Sequence, residues 1–180
     1  MMEKLVIETD RLILRPFTMD DAAAVLEFSS NPKVQKYTGD VLRTTLAEVE
    51  HVITNVWLSD YTKYGYGRFA VIHKADNKLI GFNGIKYLAD INETDLGYRF
   101  LPEYWSKGLA TESSKAIVDY AFSNHKLDKL IGFVMPENQA SAVVLKKLDF
   151  EFSKLAPYPG EDEEGDLEWY YLTRATYEKQ

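Results

Sequence analysis

The chain of 180 residues contains no cysteine. Disulfides, cysteine-ligated zinc and a cysteine acyl-enzyme are therefore excluded together. Histidine is nearly as scarce. His51, His73 and His125 stand far apart with no H-x-x-x-H spacing, so no metal site is expected. A long uncharged apolar run is also missing, so no membrane association is expected. The first ten residues carry charges and lack a signal-peptide apolar core, which makes the cytoplasm the expected location. Lysine and arginine number 21 against 28 acidic residues, a formal net charge of -7. A nucleic-acid binder needs a basic surface to neutralise phosphates, so no nucleic-acid partner is expected. Internal repeats and linker-like tracts are absent as well, and the length suits one domain over residues 1–180.

What is present is a change of hydrophobic period along the chain. Residues 11–15 alternate and stop at Pro16, which reads as a strand with Leu12 and Leu14 on one face. Ala24, Val25 and Phe28 fit a short helix capped by Thr18 or Asp20. Leu46, Val49, Ile53 and Val56 fit a second, capped by Thr44 or Thr45. Residues 67–73 and 78–88 then read as a hairpin turning at Asp76-Asn77, followed by a strand over 93–101. In that strand Asp95, Gly97, Arg99 and Leu101 share one face, and Leu96, Tyr98 and Phe100 the other. A helix over 109–124, a strand over 130–134, a helix over 138–148 and strands over 150–156 and 167–174 complete the order β-α-α-β-β-β-α-β-α-β-β. The fold class is α/β.

The segment Tyr104-Trp105-Ser106-Lys107-Gly108-Leu109-Ala110-Thr111-Glu112 lies between a strand and a helix. Gly108 and Ala110 let the backbone approach a ligand closely, and the free N–H groups of a first helical turn suit phosphate oxygens. Lys107 adds charge and Thr111 a hydroxyl. By spacing alone the signal is weak, since one glycine before a helix is more often just a turn. It matches neither G-x-x-x-x-G-K-[ST] nor G-x-G-x-x-G, so a P-loop or a Rossmann dinucleotide site is not expected.

Three ordered motifs carry a resemblance. The run from Leu96-Gly97-Tyr98 through Pro102-Glu103-Tyr104-Trp105-Ser106-Lys107-Gly108-Leu109-Ala110-Thr111-Glu112-Ser113 resembles the coenzyme A signature of the GNAT acetyltransferases, in the form used by the RimJ/RimL branch. Glu8-Thr9-Asp10-Arg11-Leu12-Ile13-Leu14-Arg15 resembles that branch's opening E-T-x-R-L-x-L-R. Residues 138–150 resemble its N-x-x-S-x-x-V-L-x-K-L-G-F, with Asp149 where glycine is usual. Ser106 likewise replaces a common glycine. The likeness runs over about residues 7–173.

The resemblance implies a twisted mixed sheet whose two central parallel strands, here residues 95–101 and 130–134, splay apart to admit pantetheine. It implies acetyl-CoA as donor substrate, no metal, and an amine acceptor that is a protein N-terminus, a polyamine or a small molecule. It assigns cofactor contacts to Phe100, Leu101, Ser106, Lys107, Gly108, Leu109, Ala110, Thr111, Asn138 and Ser141. Many family members carry a tyrosine seven residues after the asparagine as general acid. That position is Leu145 here, which makes Ser141 the candidate acid. Asp95 is the first candidate base, directly or through water, and Glu93 the second; the plain alternative is a solvated carboxylate at a strand end. Asn138 reads as well as a helix cap, and Ser141 as a surface hydroxyl. The acidic run Glu161 to Asp166 reads either as a solvated loop or as a steering patch for a cationic acceptor. A catalytically idle acyl-CoA-binding module on the same fold is the alternative function. A homodimer is neither required nor excluded.

Overall fold

The computed structural model describes residues 5–180, so the first four residues of the charged N-terminal segment lie outside the described part. Its strands are β1 (Ile7–Glu8), β2 (Leu12–Pro16), β3 (Arg68–His73), β4 (Lys78–Leu88), β5 (Glu93–Phe100), β6 (Lys129–Val134), β7 (Glu151–Ala156) and β8 (Leu167–Thr173). They form one mixed sheet in the order β1-β2-β3-β4-β5-β6-β8-β7. Its helices are α1 (Ala22–Ser29), α2 (Pro32–Gln35), α3 (Leu46–Val52), α4 (Ser59–Tyr64), α5 (Leu109–Asn124), α6 (Gln139–Lys147) and α7 (Arg174–Tyr177). A π-helical segment, Ile53–Leu58, joins α3 to α4.

Most elements expected from the hydrophobic period are present within a residue or two. Additions are β1, α2, α4 and α7, each too short or too polar to show a period. Local chemistry accounts for the ends. Thr45 and Glu48 form a reciprocal capping box at the start of α3. Asp149, just beyond α6, has φ +62° and so performs the left-handed turn usually given to glycine.

Both faces of the sheet are covered. Along β3, Phe69 and Val71 enter one core cluster with Ile117, Val118 and Leu145 of α5 and α6. Ala70 and Ile72 enter another with Val25, Phe28, Val49 and Trp57 of the α1–α4 layer. Burial on both sides is why the middle of β3, Phe69 to Ile72, is apolar at every position.

The feature that positions the site is the β5–β6 junction. Antiparallel pairing of β4 with β5 runs from Gly81↔Phe100 to Leu88↔Glu93. Parallel pairing of β5 with β6 is confined to Asp95↔Ile131. Beyond that bridge the two strands part, and each has its other edge satisfied, β6 by six pairs with β8.

Candidate active site

The gap between β5 and β6 opens into a cleft of about 1210 Å³. Asp95, Tyr98, Phe100, Ser106, Gly108, Leu109, Ala110, Thr111, Asn138 and Ser141 line it. Three residues singled out in the sequence do not. Glu93 is held at the strand start by Lys129 Nζ at 2.5 Å. Leu101 is 1% exposed and belongs to the α1–α4 core. Lys107 turns its ammonium over the Tyr104 ring, 5.4 Å from the centroid.

At one end of the cleft the turn before α5 holds two left-handed residues, Ser106 at φ +59° and Gly108 at φ +77°. A serine in that region costs about 1–2 kcal/mol, so the conformation is imposed by its surroundings. Arg11 supplies part of them. Its Nη1 donates to the Lys107 carbonyl at 2.8 Å and its Nε to Glu112 Oε2 at 2.7 Å. Glu112 Oε1 accepts from Thr9 Oγ1 at 2.7 Å and from the Arg11 N–H at 2.9 Å. The N-terminal motif and the helix motif thus meet as one clamp. Burial alone would raise the Glu112 carboxyl, but the hydrogen bonds from Thr9 and Arg11 outweigh it and hold the pKa below the usual range. Among the described residues, the backbone N–H groups of Ser106 to Thr111 meet no protein acceptor. A Cβ built on Gly108 would meet nothing closer than Arg11 Nη2 at 3.5 Å. An open concavity of unpaired N–H groups on a 16-residue helix fits a pyrophosphate.

At the middle of the cleft Ser141 Oγ accepts from Tyr98 Oη and from Asn138 Nδ2, each at 3.1 Å. Two accepted bonds use both lone pairs, which leaves the Ser141 O–H free to donate into the cleft. Asn138 also caps α6, its Oδ1 accepting from the Ser141 N–H at 3.4 Å. Burial pushes the Tyr98 hydroxyl up to about 12, against a smaller opposing effect of the bond with Ser141. Leu145 packs on β6, where Gly132 leaves room for it.

The other face of β5 carries a different chemistry. Arg68 Nη2 lies 3.3 and 3.2 Å from the two Asp95 oxygens, and both side chains are buried. Arg68 Nη1 donates to the Gly84 carbonyl. The guanidinium lies over Gly97, where a Cβ would come within 2.7 Å of it. Arg99, on the same face, donates from Nη1 to Gln35 Oε1 at 3.0 Å and to Asp40 Oδ2 at 2.9 Å. Asp40 also accepts from Arg43 Nη1 at 2.9 Å. Burial alone would raise the Asp40 carboxyl; the bonds from Arg43 and Arg99 prevail and lower it. The strand-face reading therefore separates two environments, Tyr98 with Ser141 and Asp95 with Arg68 and Arg99. Arg68 was not among the candidate residues. Its signal is a charged residue opening a strand whose next four residues, Phe69 to Ile72, are all apolar. At the far rim Glu161, Glu164 and Tyr158 line the cleft, while Tyr170 is buried in the core. No group of three or more acidic, histidine or cysteine side chains able to hold a metal occurs among the described residues. No described helix is long and apolar enough to cross a membrane.

A parted parallel strand pair facing a helix start with unpaired N–H groups has the form suited to a coenzyme A-dependent acyltransferase. The chain belongs to the GNAT acetyltransferase family: the model of the acetyltransferase (GNAT) domain matches residues 11–151. The chain is 32% identical over 149 residues to the uncharacterised N-acetyltransferase YoaA of Bacillus subtilis, covering 81% of this chain and 82% of that protein. The crystal structure of a GNAT-family acetyltransferase from Bacillus anthracis superposes with a TM-score of 0.79 at 27% identity, covering 94% of this chain and 98% of that one. RimL, the ribosomal L7/L12 α-N-protein acetyltransferase in complex with coenzyme A, shares the fold with a TM-score of 0.80 at 16% identity, over 95% and 99% of the two chains. This chain is accordingly an acetyl-CoA-dependent acetyltransferase.

Proposed function

We propose that the protein transfers the acetyl group of acetyl-CoA to a primary amine by direct attack, without a covalent enzyme intermediate. The observation that carries this reading is the β5–β6 parting, which sets the clamped anion turn, a free serine hydroxyl and a carboxylate around one cleft. When bound, acetyl-CoA supplies the activated acetyl group. A bond forms from the amine nitrogen to the acetyl carbon, the carbon–sulfur bond breaks, and its electron pair leaves with sulfur. The amine's surplus proton needs an acceptor, and the charges on the carbonyl oxygen and on sulfur need donors.

The backbone N–H groups of Ser106 to Thr111 bind the pyrophosphate. Alternation along β5, with the Leu101 N–H on Ile80 of β4 and the Phe100 carbonyl accepting from Trp105, turns the Tyr98 N–H toward the gap as donor to the carbonyl oxygen. The Ser141 O–H donates to the departing sulfur, and Tyr98 and Asn138 hold it in that orientation. A thiol of ordinary pKa, about 8.5, is more acidic than the Tyr98 hydroxyl at about 12. The Tyr98–Ser141 pair therefore acts through a hydrogen bond to sulfur rather than by full proton transfer. Asp95 takes the amine's proton through a water, since each of its oxygens keeps a lone pair beside the one facing Arg68. Glu93, tied to Lys129 outside the cleft, is set aside as base.

The acceptors considered are a protein N-terminus, a polyamine and a small amine. The test is thiol release from acetyl-CoA with a panel of such amines. Amine-dependent release is the expected result; tight acetyl-CoA binding with no release by any amine would leave an idle acyl-CoA-binding module instead.

A further inference from the structure

A second recess, of about 350 Å³, opens beside the cleft on the Arg99 face of β5. It shares Thr38, Gly39, Arg68, Phe82 and Arg99 with the cleft, so the two adjoin. Its apolar wall is Val52, Val56 and Trp57, presented by the end of α3 and the π-helical turns. Such wide turns are uncommon and recur beside functional sites.

Its polar wall has an unusual balance. Arg43, Arg68, Lys86 and Arg99 face Asp40 alone. Arg43 and Arg99 converge on that carboxylate, which compensates one guanidinium and not two. Lys86 forms no ion pair among the described residues. Behind this wall Asp95 is occupied by Arg68. Asp60 is also behind it; burial raises its carboxyl pKa and its Oδ2 has no partner. Even with all three carboxylates counted as charged, four cations exceed them. The Arg99 pKa is lowered mainly by burial, against the bond to Asp40, and the neighbouring charges of Arg68 and Arg43 lower it further.

We infer that the amine acceptor also carries an anionic group, a carboxylate or a phosphate, which seats in the recess formed by Arg43, Arg68, Lys86 and Arg99. This rests on the acetyl-transfer reading above. An oxyanion supplies the missing countercharge and accepts from guanidinium edges at half-buried positions, where charge-assisted bonds are strongest. A purely cationic acceptor is drawn by Glu161 and Glu164 at the rim but meets an excess of like charge beyond it. The recess thus narrows the acceptor to amines with an acid group.

The experiment measures thiol release with matched acceptors: an amino acid and its amide, an aminoalkyl phosphate and the corresponding amino alcohol, and a polyamine. At least one acidic acceptor is expected to exceed its neutral partner about tenfold or more in kcat/KM, the scale of one charge-assisted hydrogen bond. The pair that shows the preference identifies the source of the anion. Lys86→Gln and Arg43→Gln, each checked by thermal melting, should reduce that ratio several-fold, mainly through KM. Turnover with a ratio near one, or a ratio that neither variant moves, overturns the anion assignment and leaves acetyl transfer standing. Absence of turnover with every amine instead removes the acetyl-transfer reading. The recess is then judged by calorimetry of the coenzyme A-loaded protein with an N-acetyl amino acid and an acetylated aminoalkyl phosphate. Saturable binding that Lys86→Gln weakens supports the recess, and no binding of either overturns it.

Discussion

Replacing Ser141 with alanine removes one oxygen that does three things. Its O–H is left free to donate, and its two lone pairs hold Tyr98 Oη and Asn138 Nδ2, each at 3.1 Å. The stability cost comes from the partners. Tyr98 Oη is left as a largely buried donor without an acceptor, which costs about 1–3 kcal/mol. For a chain of this size that lowers the melting temperature by roughly 2–4 °C per kcal/mol. The catalytic cost is separate. A hydroxyl aimed at developing charge contributes on the scale of an acid or oxyanion donor, about 10²–10⁴-fold, or roughly 2.7–5.5 kcal/mol of barrier. Binding of acetyl-CoA should change far less, because the phosphate turn lies on α5 and not on α6. The assay is thiol release under saturating acetyl-CoA, with calorimetry for donor affinity and a thermal melt for the fold. Tyr98→Phe is the companion variant. It keeps the ring but frees one Ser141 lone pair, so the hydroxyl loses its fixed direction and an intermediate loss of kcat is expected. A Ser141→Ala enzyme within about twofold of the parent kcat would refute the role given to the hydroxyl. A loss entirely in acetyl-CoA affinity would refute it equally.

Gly97→Ala places a methyl within 2.7 Å of Arg68 Nη2, so the guanidinium must shift off Asp95; overpacking of this kind costs about 1–3 kcal/mol. A lower melting temperature and a raised acceptor KM, with little change in acetyl-CoA affinity, are expected from melts and saturation curves. Gly108→Ala meets only Arg11 at 3.5 Å but must hold φ +77°, costing about 1–2 kcal/mol, and its methyl intrudes on the anion turn. Calorimetry should show weaker acetyl-CoA binding in a folded protein; unchanged affinity would remove that turn from the site. Glu112 has a folded-state pKa below its unfolded one, so its clamp stabilises the protein above the unfolded carboxylate value of about 4.3 and is lost as pH falls through the folded value. Glu112→Gln should weaken acetyl-CoA binding at neutral pH and flatten that acid-side loss in a pH series of melts; an unchanged acid limb would count against the clamp.

The period of hydrophobic residues made the main elements legible because each long element buries one face or both. The three motifs made the family legible because they mark the left-handed turn before α5 and the polar side chains of Thr9, Arg11, Asn138 and Ser141 that are bonded around the cleft. Glu112 illustrates the boundary. As a carboxylate in the first turn of a helix it is locally ordinary, and its bonds to Thr9 and Arg11 depend on a contact across more than a hundred residues that no local pattern encodes. The strand alternation places Tyr98 on one face, and only the meeting of β5 with α6 gives its hydroxyl a partner. The Asp40–Arg99–Arg43 cluster was invisible for the same reason, since its members come from a loop and a strand with no shared spacing. Asp149 is the reverse case: it occupies the place where the resembling motif has glycine, and it adopts the left-handed conformation that such a position calls for.

The single bridge Asp95↔Ile131 has a thermodynamic consequence. Strands β1 to β5 form one ladder and β6, β8 and β7 another, and between them backbone hydrogen bonding nearly ceases. Cohesion across the seam falls to side-chain packing, through Leu130 and Val134 of β6 with Ile117 of α5 and Leu145 of α6. A molecule lodged in the seam therefore bridges two semi-independent ladders. Its binding free energy is added to the integrity of the whole sheet, by about 2.7 kcal/mol at a hundredfold excess over Kd. Occupied protein should accordingly exchange the amide hydrogens of β5 and β6 more slowly than those of β2 and β3 alone would suggest. The weakest line in the scaffold is then the one that the donor substrate reinforces.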